Sequence, residues 1–499
     1  MHTTELYSQY VTSMRKIADI KYSIALLGWD QECYQPKKGA AFRSQQIATL
    51  SGMAHDLFVN DRLGELLNRL NESSELNEIQ KRNVQETFKD FNREKKYSTE
   101  FVEQIAQVTS QTYQAWLKAR EANDFKLYRP MLSTMVNIKR EEAEILGYEN
   151  HPYNALLDIY EPGANTDELD VLFKDVRTNL VSFVKDITAT NRVPADFLKQ
   201  NFPYQQQWDF GIDLLKQMGY DFEAGRQDVS PHPFTTNFSM EDVRVTTRVN
   251  ENDFNSMTWS CIHEGGHALY EQGLLIENYG LPLGEAVSLG IHESQSRLWE
   301  NLVGRGFGYW KGNFPKLKKI FANQLNQVRD FDFYKNINKV QPSFIRVEAD
   351  ELTYHFHIMV RYEIEKQLMD KSIAVNDLAE IWNARYKEYL NVNVPDDNHG
   401  VLQDIHWSHG SFGYFPTYSL GSFYAVQFFN QAAKEISGLN EQIEKGDLLP
   451  LREWLRVKIH VHGRRYSARE LCQRITGEPL NFNHFMNYAR KKYQAIYEL

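Results

Sequence analysis

The sequence is poor in cysteine, in positive charge and in long apolar runs. Its three cysteines, Cys33, Cys261 and Cys472, lie far apart, and their odd number indicates no disulfide framework. The 56 basic residues are outnumbered by 66 acidic ones, a balance of the wrong sign for binding nucleic acid or anionic lipid. No segment approaches the ~18 consecutive apolar residues that span a bilayer, and the first residues contain no apolar signal region. We therefore expect a cytoplasmic protein with no membrane or nucleic-acid partner.

Glycine and proline are also scarce. The 27 glycines and 15 prolines among 499 residues are a smaller share than the roughly 12% that is usual in globular proteins. Residues 65–129 contain neither type and residues 343–394 contain no proline, so both stretches are predicted to be helical, with Ser98 as an N-cap. No fixed-period repeat or low-complexity linker divides the chain. The sequence therefore predicts one mostly α-helical unit over residues 1–499.

One short segment departs from the helical pattern. In residues 242–249, apolar or small residues alternate with polar ones, which is typical of a half-buried β-strand. No second strong strand signal lies nearby, so the predicted sheet is small.

The strongest chemical signal is the sequence His-Glu-Gly-Gly-His at residues 263–267. Because His263 and His267 are four residues apart, they lie on one face of a helix within reach of a single metal ion. Glu264 lies between them and is expected to act as a general base. Each glycine of the motif costs a helix interior roughly 1 kcal/mol relative to alanine. The glycine pair therefore predicts that a second ligand-bearing helix or a substrate packs against this backbone.

A catalytic zinc site usually has three protein ligands, so a third is needed. A metzincin would have a histidine six residues after His267, where this sequence has Gly273, and a carboxylate is expected instead. Residues 291–300 predict another amphipathic helix, and its Glu293 is the preferred third ligand. His292 is either an outer hydrogen-bond donor to the site or an ordinary helix-face residue. The alternative third ligands are Glu271, Glu277 and Glu285.

Six short motifs occur in order within one part of the chain. They are HPF at 232–234, DVRVT at 242–246, HEGGH at 263–267, HESQ at 292–295, IRVEAD at 345–350 and GVLQDIHW at 400–407. Together they resemble the motif set of the carboxypeptidase Taq family of thermostable zinc metallocarboxypeptidases. The resemblance implies a two-lobed helical fold with a long central groove and the small β-sheet beside the active site. It also implies a homodimer with one Zn²⁺ per subunit, which Co²⁺ can replace.

A carboxypeptidase must recognise a free carboxylate, and a guanidinium can bind that group through two parallel hydrogen bonds. Arg346 and Arg244 are the candidates. Arg346 is predicted to begin a helix, where an ion pair with Asp350 is its alternative role. Arg244 lies on the predicted strand, which could pair with an extended peptide. His232, just before that strand, is expected to line the site.

The oxyanion of the reaction needs a hydrogen-bond donor. The candidates His406, Tyr414 and Tyr418 lie in a loop region rich in glycine and aromatic residues, where Asp404 is expected to orient His406 or a neighbouring helix. The metal and substrate motifs thus fall within residues 232–418.

The resemblance and the motifs together predict hydrolysis of the C-terminal peptide bond, with broad specificity, by a metal-activated water. The substrates are peptides with a free C-terminus. An oligopeptidase that cuts inside short peptides and a non-catalytic helical scaffold are the alternatives.

Overall fold

The structure is a computed structural model that describes residues 2–190, 192 and 196–499. These residues form 21 α-helices and a single sheet of three short strands, which confirms the predicted mostly helical fold. None of the helices described has the length and apolarity that a membrane crossing requires. In chain order the helices are α1 (Thr3–Cys33), α2 (Ala40–Phe58), α3 (Asp61–Asn71), α4 (Glu78–Glu94), α5 (Thr99–Ala122), α6 (Arg129–Leu146), α7 (Tyr153–Leu157), α8 (Thr166–Ala189), α9 (Tyr204–Met218), α10 (Phe254–Gly273), α11 (Leu289–Arg297), α12 (Phe307–Ile320), α13 (Ala322–Leu325), α14 (Asp330–Ile337), α15 (Tyr354–Met369), α16 (Leu378–Leu390), α17 (Pro416–Glu435), α18 (Leu439–Lys445), α19 (Leu449–Lys458), α20 (Ala468–Thr476) and α21 (Asn483–Tyr497).

The described residues form two compact units, each built from three stretches of chain. The first unit comprises Met1–Lys95, Ala195–Ile337 and Tyr424–Pro479, and the second comprises Lys96–Pro194, Asn338–Phe423 and Leu480–Leu499. The HEGGH and HESQ motifs belong to the first unit, and the IRVEAD and GVLQDIHW motifs belong to the second. That the whole chain is one catalytic unit stays a prediction.

The sheet lies in the first unit and consists of β1 (Gln227–Val229), β2 (Thr235–Ser239) and β3 (Asp242–Thr247). β3 is central, because it pairs in parallel with β1 and antiparallel with β2. Val243 and Val245 of β3 are buried, as the alternating pattern predicts. α10 packs against β2, β3, α9 and α11. This packing places the HEGGH helix beside the sheet.

The helical prediction for residues 65–129 is largely confirmed by α3, α4 and α5. The Ser98 hydroxyl caps α5 by accepting a hydrogen bond from the amide of Phe101 at 3.2 Å. The prediction for residues 343–394 is wrong at its start, where only a 3₁₀ turn at Arg346–Glu348 precedes α15. The Asp350 carboxylate accepts hydrogen bonds from backbone amides just ahead of α15, so it ends the irregular segment instead of pairing with Arg346.

α15 is the buried central helix of the second unit. Its apolar side chains Phe356, Val360 and Ile364 are fully buried, and so are the polar side chains Arg361 and Glu365. Glu365 accepts hydrogen bonds from the Trp407 indole at 2.8 Å and the Gly413 amide at 3.1 Å. Burial raises the pKa of Glu365 to about 7. α15 thereby anchors the loop that carries the GVLQDIHW motif.

Candidate metal centre

α10 and α11 meet at the glycine pair of the HEGGH motif. A Cβ atom on Gly266 would lie 2.6 Å from the Cα of Ser296 and 2.8 Å from the carbonyl oxygen of Gln295, both in α11. A Cβ atom on Gly265 would meet the Leu215 side chain of α9 at 2.7 Å. Backbone therefore packs on backbone at Gly266. This confirms that a second helix approaches here, and that helix carries Glu293.

His263, His267 and Glu293 converge between these two helices. Glu293 Oε2 lies 3.6 Å from His263 Nε2 and 3.4 Å from His267 Nε2. Within the described residues they are the one group of three histidine, cysteine or acidic side chains whose ligand atoms all lie within 4.8 Å of one another.

The separations in this group fit a shared metal ion. They are longer than the 2.7–3.2 Å typical of a hydrogen bond from nitrogen to oxygen. Two donor atoms that are each 2.0–2.2 Å from a tetrahedral ion lie about 3.3–3.6 Å apart. Three such donors leave a fourth position open, which is the arrangement of catalytic sites.

The alternative third ligands lie elsewhere. Glu277 and Glu285 are exposed, and Glu285 pairs with Arg464. Glu271 is buried, but its Oε1 bonds to His292 at 2.7 Å. The structure therefore brings Glu293, and none of these three, to the two histidines.

Glu300 holds His263 from the outer side, with its Oε2 2.9 Å from His263 Nδ1. A π-helical turn, Leu298–Gly304, follows α11 and contains Glu300. Arg297 bonds to Glu293 Oε1 at 2.6 Å, and Arg305 Nη2 bonds to Glu300 Oε1 at 3.0 Å. Sequence analysis missed these three outer residues, although Glu300 follows Glu293 by two helical turns on the same face.

Burial and neighbouring charges shift the pKa values of the groups in this centre. Burial raises the pKa of Glu293, but Arg297 and His263 outweigh burial and hold it well below its usual range. Burial and then His292 lower the pKa of His267 to about 3, so this ligand candidate is neutral. Burial lowers the pKa of His263, but Glu293 and Glu300 outweigh burial and raise it. The centre thus holds two ionised carboxylates, with Glu293 aimed at the two imidazoles.

Glu264 faces β2 from α10. The Thr235 hydroxyl lies 2.7 Å from Glu264 Oε2, to which it donates, and 2.9 Å from the Glu264 carbonyl oxygen. Burial raises the pKa of Glu264, against the opposing effects of His263 and Thr235. A buried carboxylate with a raised pKa beside the ligand group has the character of a general base.

Comparison with known proteins identifies the family. A model of the carboxypeptidase Taq (M32) metallopeptidase family matches residues 9–493. The chain belongs to this family. It is therefore a metallocarboxypeptidase, a metal-dependent hydrolase of peptide bonds, and both the predicted resemblance and the predicted enzyme class are confirmed.

Individual relatives match this metallocarboxypeptidase over nearly the whole chain. Thermostable carboxypeptidase 1 of Thermus thermophilus is 39% identical over 98% of this chain and 99% of its own length. The solved structure of a protein called CHT is 58% identical, with a TM-score of 0.97 over 98% of this chain and 99% of that one. The M32 carboxypeptidase from Deinococcus radiodurans R1 is 36% identical, with a TM-score of 0.97 over 99% of this chain and 100% of that one.

Two substrate residues predicted for the metallocarboxypeptidase lie in the first unit. Arg244 lies on β3, whose two edges are already paired, so this strand cannot add a peptide. Its Nε and Nη2 each bond to Asp242 at 2.8 Å, which holds the guanidinium in place. His232 is exposed before β2, and its carbonyl oxygen accepts a hydrogen bond from Ser230. The roles of Arg244 and His232 in substrate binding stay predictions.

The remaining predicted residues cluster in the second unit. His406 Nε2 lies 3.2 Å from the Tyr418 hydroxyl, and the rings of His406 and Tyr414 pack edge to face at 5.4 Å. Burial and then Arg346 lower the pKa of His406 to about 3, so its imidazole is neutral. Asp404 pairs with Arg346 at 3.0 Å and with Arg361 of α15, so of its two predicted roles the structure supports the one at a neighbouring helix.

Proposed function

We propose that His263, His267 and Glu293 hold one Zn²⁺ per subunit in this metallocarboxypeptidase. The observation that supports this most strongly is the spacing of 3.4 and 3.6 Å between Glu293 Oε2 and the two imidazole nitrogens. Two imidazoles and one carboxylate form a donor set found in catalytic zinc sites. Co²⁺ also accepts such ligands, so we expect it to support activity.

Glu264 is the general base of the proposed mechanism. When bound, the metal polarises the scissile carbonyl and makes water more acidic. Thr235 donates to Glu264 Oε2 at 2.7 Å, which leaves Oε1 to take the proton of the attacking water. Glu264 then returns a proton to the departing amine, as general acid-base catalysis of amide hydrolysis requires. β2 is an edge strand of the described sheet, and we propose that the peptide pairs with β2 and not with the strand of Arg244.

Arg346 binds the free carboxylate of the substrate in this proposal. Its Nε bonds to Asp404 at 3.0 Å and its Nη1 bonds to the Tyr354 hydroxyl at 3.1 Å. No described residue accepts a hydrogen bond from its Nη2, so one nitrogen remains for a ligand, although the residue is only 7% exposed. Two arginines, Arg346 and Arg361, share the single carboxylate of Asp404. The cluster therefore keeps a positive charge that favours an anion.

His406 and Tyr418 supply the oxyanion donor. With its proton on Nε2, neutral His406 donates to the Tyr418 oxygen across 3.2 Å, which leaves the hydroxyl proton of Tyr418 for the oxyanion. Tyr414 packs on both rings, with centroids 5.4 Å from His406 and 5.2 Å from Tyr418, and limits their motion.

We also propose that the protein is a homodimer and that it is located in the cytoplasm. The family resemblance favours a homodimer, which sedimentation velocity can test. The three cysteines are free, which fits a reducing cytoplasm.

Replacing Arg346 tests the exopeptidase assignment. We expect Arg346→Ala to lower kcat/KM on a short peptide with a free C-terminus by about 30-fold or more. The reason is that a lost bond to a buried anion costs roughly 2–5 kcal/mol. Arg346→Lys should recover only part of this loss, because an ammonium cannot bond to Asp404, Tyr354 and the substrate in the geometry of a guanidinium.

The control is Arg177→Ala, which removes a half-exposed arginine paired with Glu363 in the same unit. Metal content should be normal in all three variants, and wild type should not cleave the peptide once its C-terminus is amidated. Cleavage of the amidated peptide at internal bonds would favour the oligopeptidase alternative. An unchanged kcat/KM in Arg346→Ala would make Arg346 a structural partner of Asp404.

A further inference from the structure

A line of hydrogen bonds runs outward from His267 to the edge of the sheet. His267 Nδ1 lies 2.5 Å from His292 Nδ1, and His292 Nε2 lies 2.7 Å from Glu271 Oε1. Asn237 of β2 donates from Nδ2 to the other oxygen, Glu271 Oε2, at 2.7 Å. The line joins β2, α10 and α11.

The hydrogen-bonding capacity of each group fixes where the protons are. An ionised carboxylate only accepts hydrogen bonds, so His292 Nε2 must carry a proton in order to donate to Glu271. A metal bound to His267 Nε2, which lies 3.4 Å from Glu293, leaves the proton of His267 on Nδ1. His267 Nδ1 then donates to His292 Nδ1, which can accept because the proton of His292 is on Nε2.

Packing also holds the two rings in place. The planes of His267 and His292 are inclined by 25°, with centroids 4.5 Å apart. The ring of Tyr270 packs on His292 at 5.4 Å and limits its rotation.

We propose that His292 and Glu271 are positioning residues that fix the tautomer of His267, so that Nε2 presents its lone pair to the metal. This inference rests on the proposed role of His267 as a ligand. The two ligand histidines are then held differently: His263 bonds directly to the carboxylate of Glu300, whereas His267 reaches its carboxylate through a second imidazole. His267 thus receives an oriented acceptor at Nδ1 that is an imidazole and not a carboxylate.

Two isosteric substitutions of His292 separate this role from a purely structural one. In His292→Asn the amide oxygen can occupy the place of Nδ1 and accept from His267. In His292→Gln the amide can occupy the place of Nε2 and bond to Glu271, but no acceptor remains beside His267. His292→Leu removes both bonds.

The measurement is the dissociation constant of Zn²⁺ alone, by competition with a chromophoric chelator at fixed pH, alongside the melting temperature. We expect the Gln and Leu variants to bind Zn²⁺ about 10- to 100-fold more weakly than wild type, as is typical when an outer partner of a ligand is lost. The Asn variant should stay within about threefold of wild type, because its acceptor is restored.

The matched control is His460→Leu. His460 is a buried histidine of the same unit, its ring also packs on Tyr270, and its Nε2 bonds to Gln295 and not to this line. Its Zn²⁺ affinity should equal that of wild type. Equal affinities in the Asn and Gln variants, or equal losses in His292→Leu and His460→Leu, would overturn the proposal. If His267→Ala kept wild-type affinity, the ligand assignment itself would fail, which is a separate result.

Discussion

Glu264→Gln is expected to lower kcat by about two to four orders of magnitude while leaving the bound metal unchanged. The amide cannot accept the proton of the attacking water, whereas its oxygen can still accept the hydrogen bond from Thr235. Metal analysis and steady-state kinetics on one peptide check both halves of the expectation. The control is Glu277→Gln, an exposed glutamate of the same unit. Near-wild-type turnover in Glu264→Gln would remove Glu264 from the mechanism.

Glu293→Ala and His263→Ala are expected to lose metal and activity together, because two ligands do not hold a catalytic zinc as three do. Equilibrium dialysis against Zn²⁺, followed by elemental analysis, measures the loss. Glu300→Gln is expected to have an intermediate effect, because it changes only the outer hydrogen bond to His263. It should lower the affinity for Zn²⁺ about 10- to 100-fold. Full zinc occupancy in Glu293→Ala would transfer the third ligand role to another residue.

The part of the site that follows helical periodicity could be predicted from the sequence. The spacing of His263 and His267 depends only on the rise and turn of one helix. The glycine pair between them indicates that another part of the molecule or a substrate packs closely there, without showing which. The choice of Glu293 over Glu271 could not be made in this way. Glu271 lies on the helix of the motif and Glu293 on α11, and only the packing of α11 at Gly266 shows which carboxylate faces the histidines.

Features that depend on contacts between residues far apart in the sequence could not be predicted in this way. The alternation in residues 242–249 shows that a strand forms, but it carries no information on whether that strand is central or at an edge, so it could not show that the strand of Arg244 is already paired on both sides. The absence of proline permits a helix at Arg346 but does not require one. The Asp350 carboxylate instead satisfies the amides ahead of α15. Glu300 lies two helical turns after Glu293, but this spacing alone does not show that its carboxylate meets His263 of another helix.

The backbone contact at Gly266 has a consequence for how this protein can vary. Main-chain atoms of Ser296 and Gln295 leave no room for even a methyl group there, so the separation of α10 and α11 does not depend on which side chains fill the surrounding core. Exchanges of apolar residues around these helices can then change thermal stability while the distance between the ligand-bearing helices stays constant. Side chains of the core can therefore change during evolution, while backbone atoms keep the two helices that carry the candidate ligands at a fixed distance.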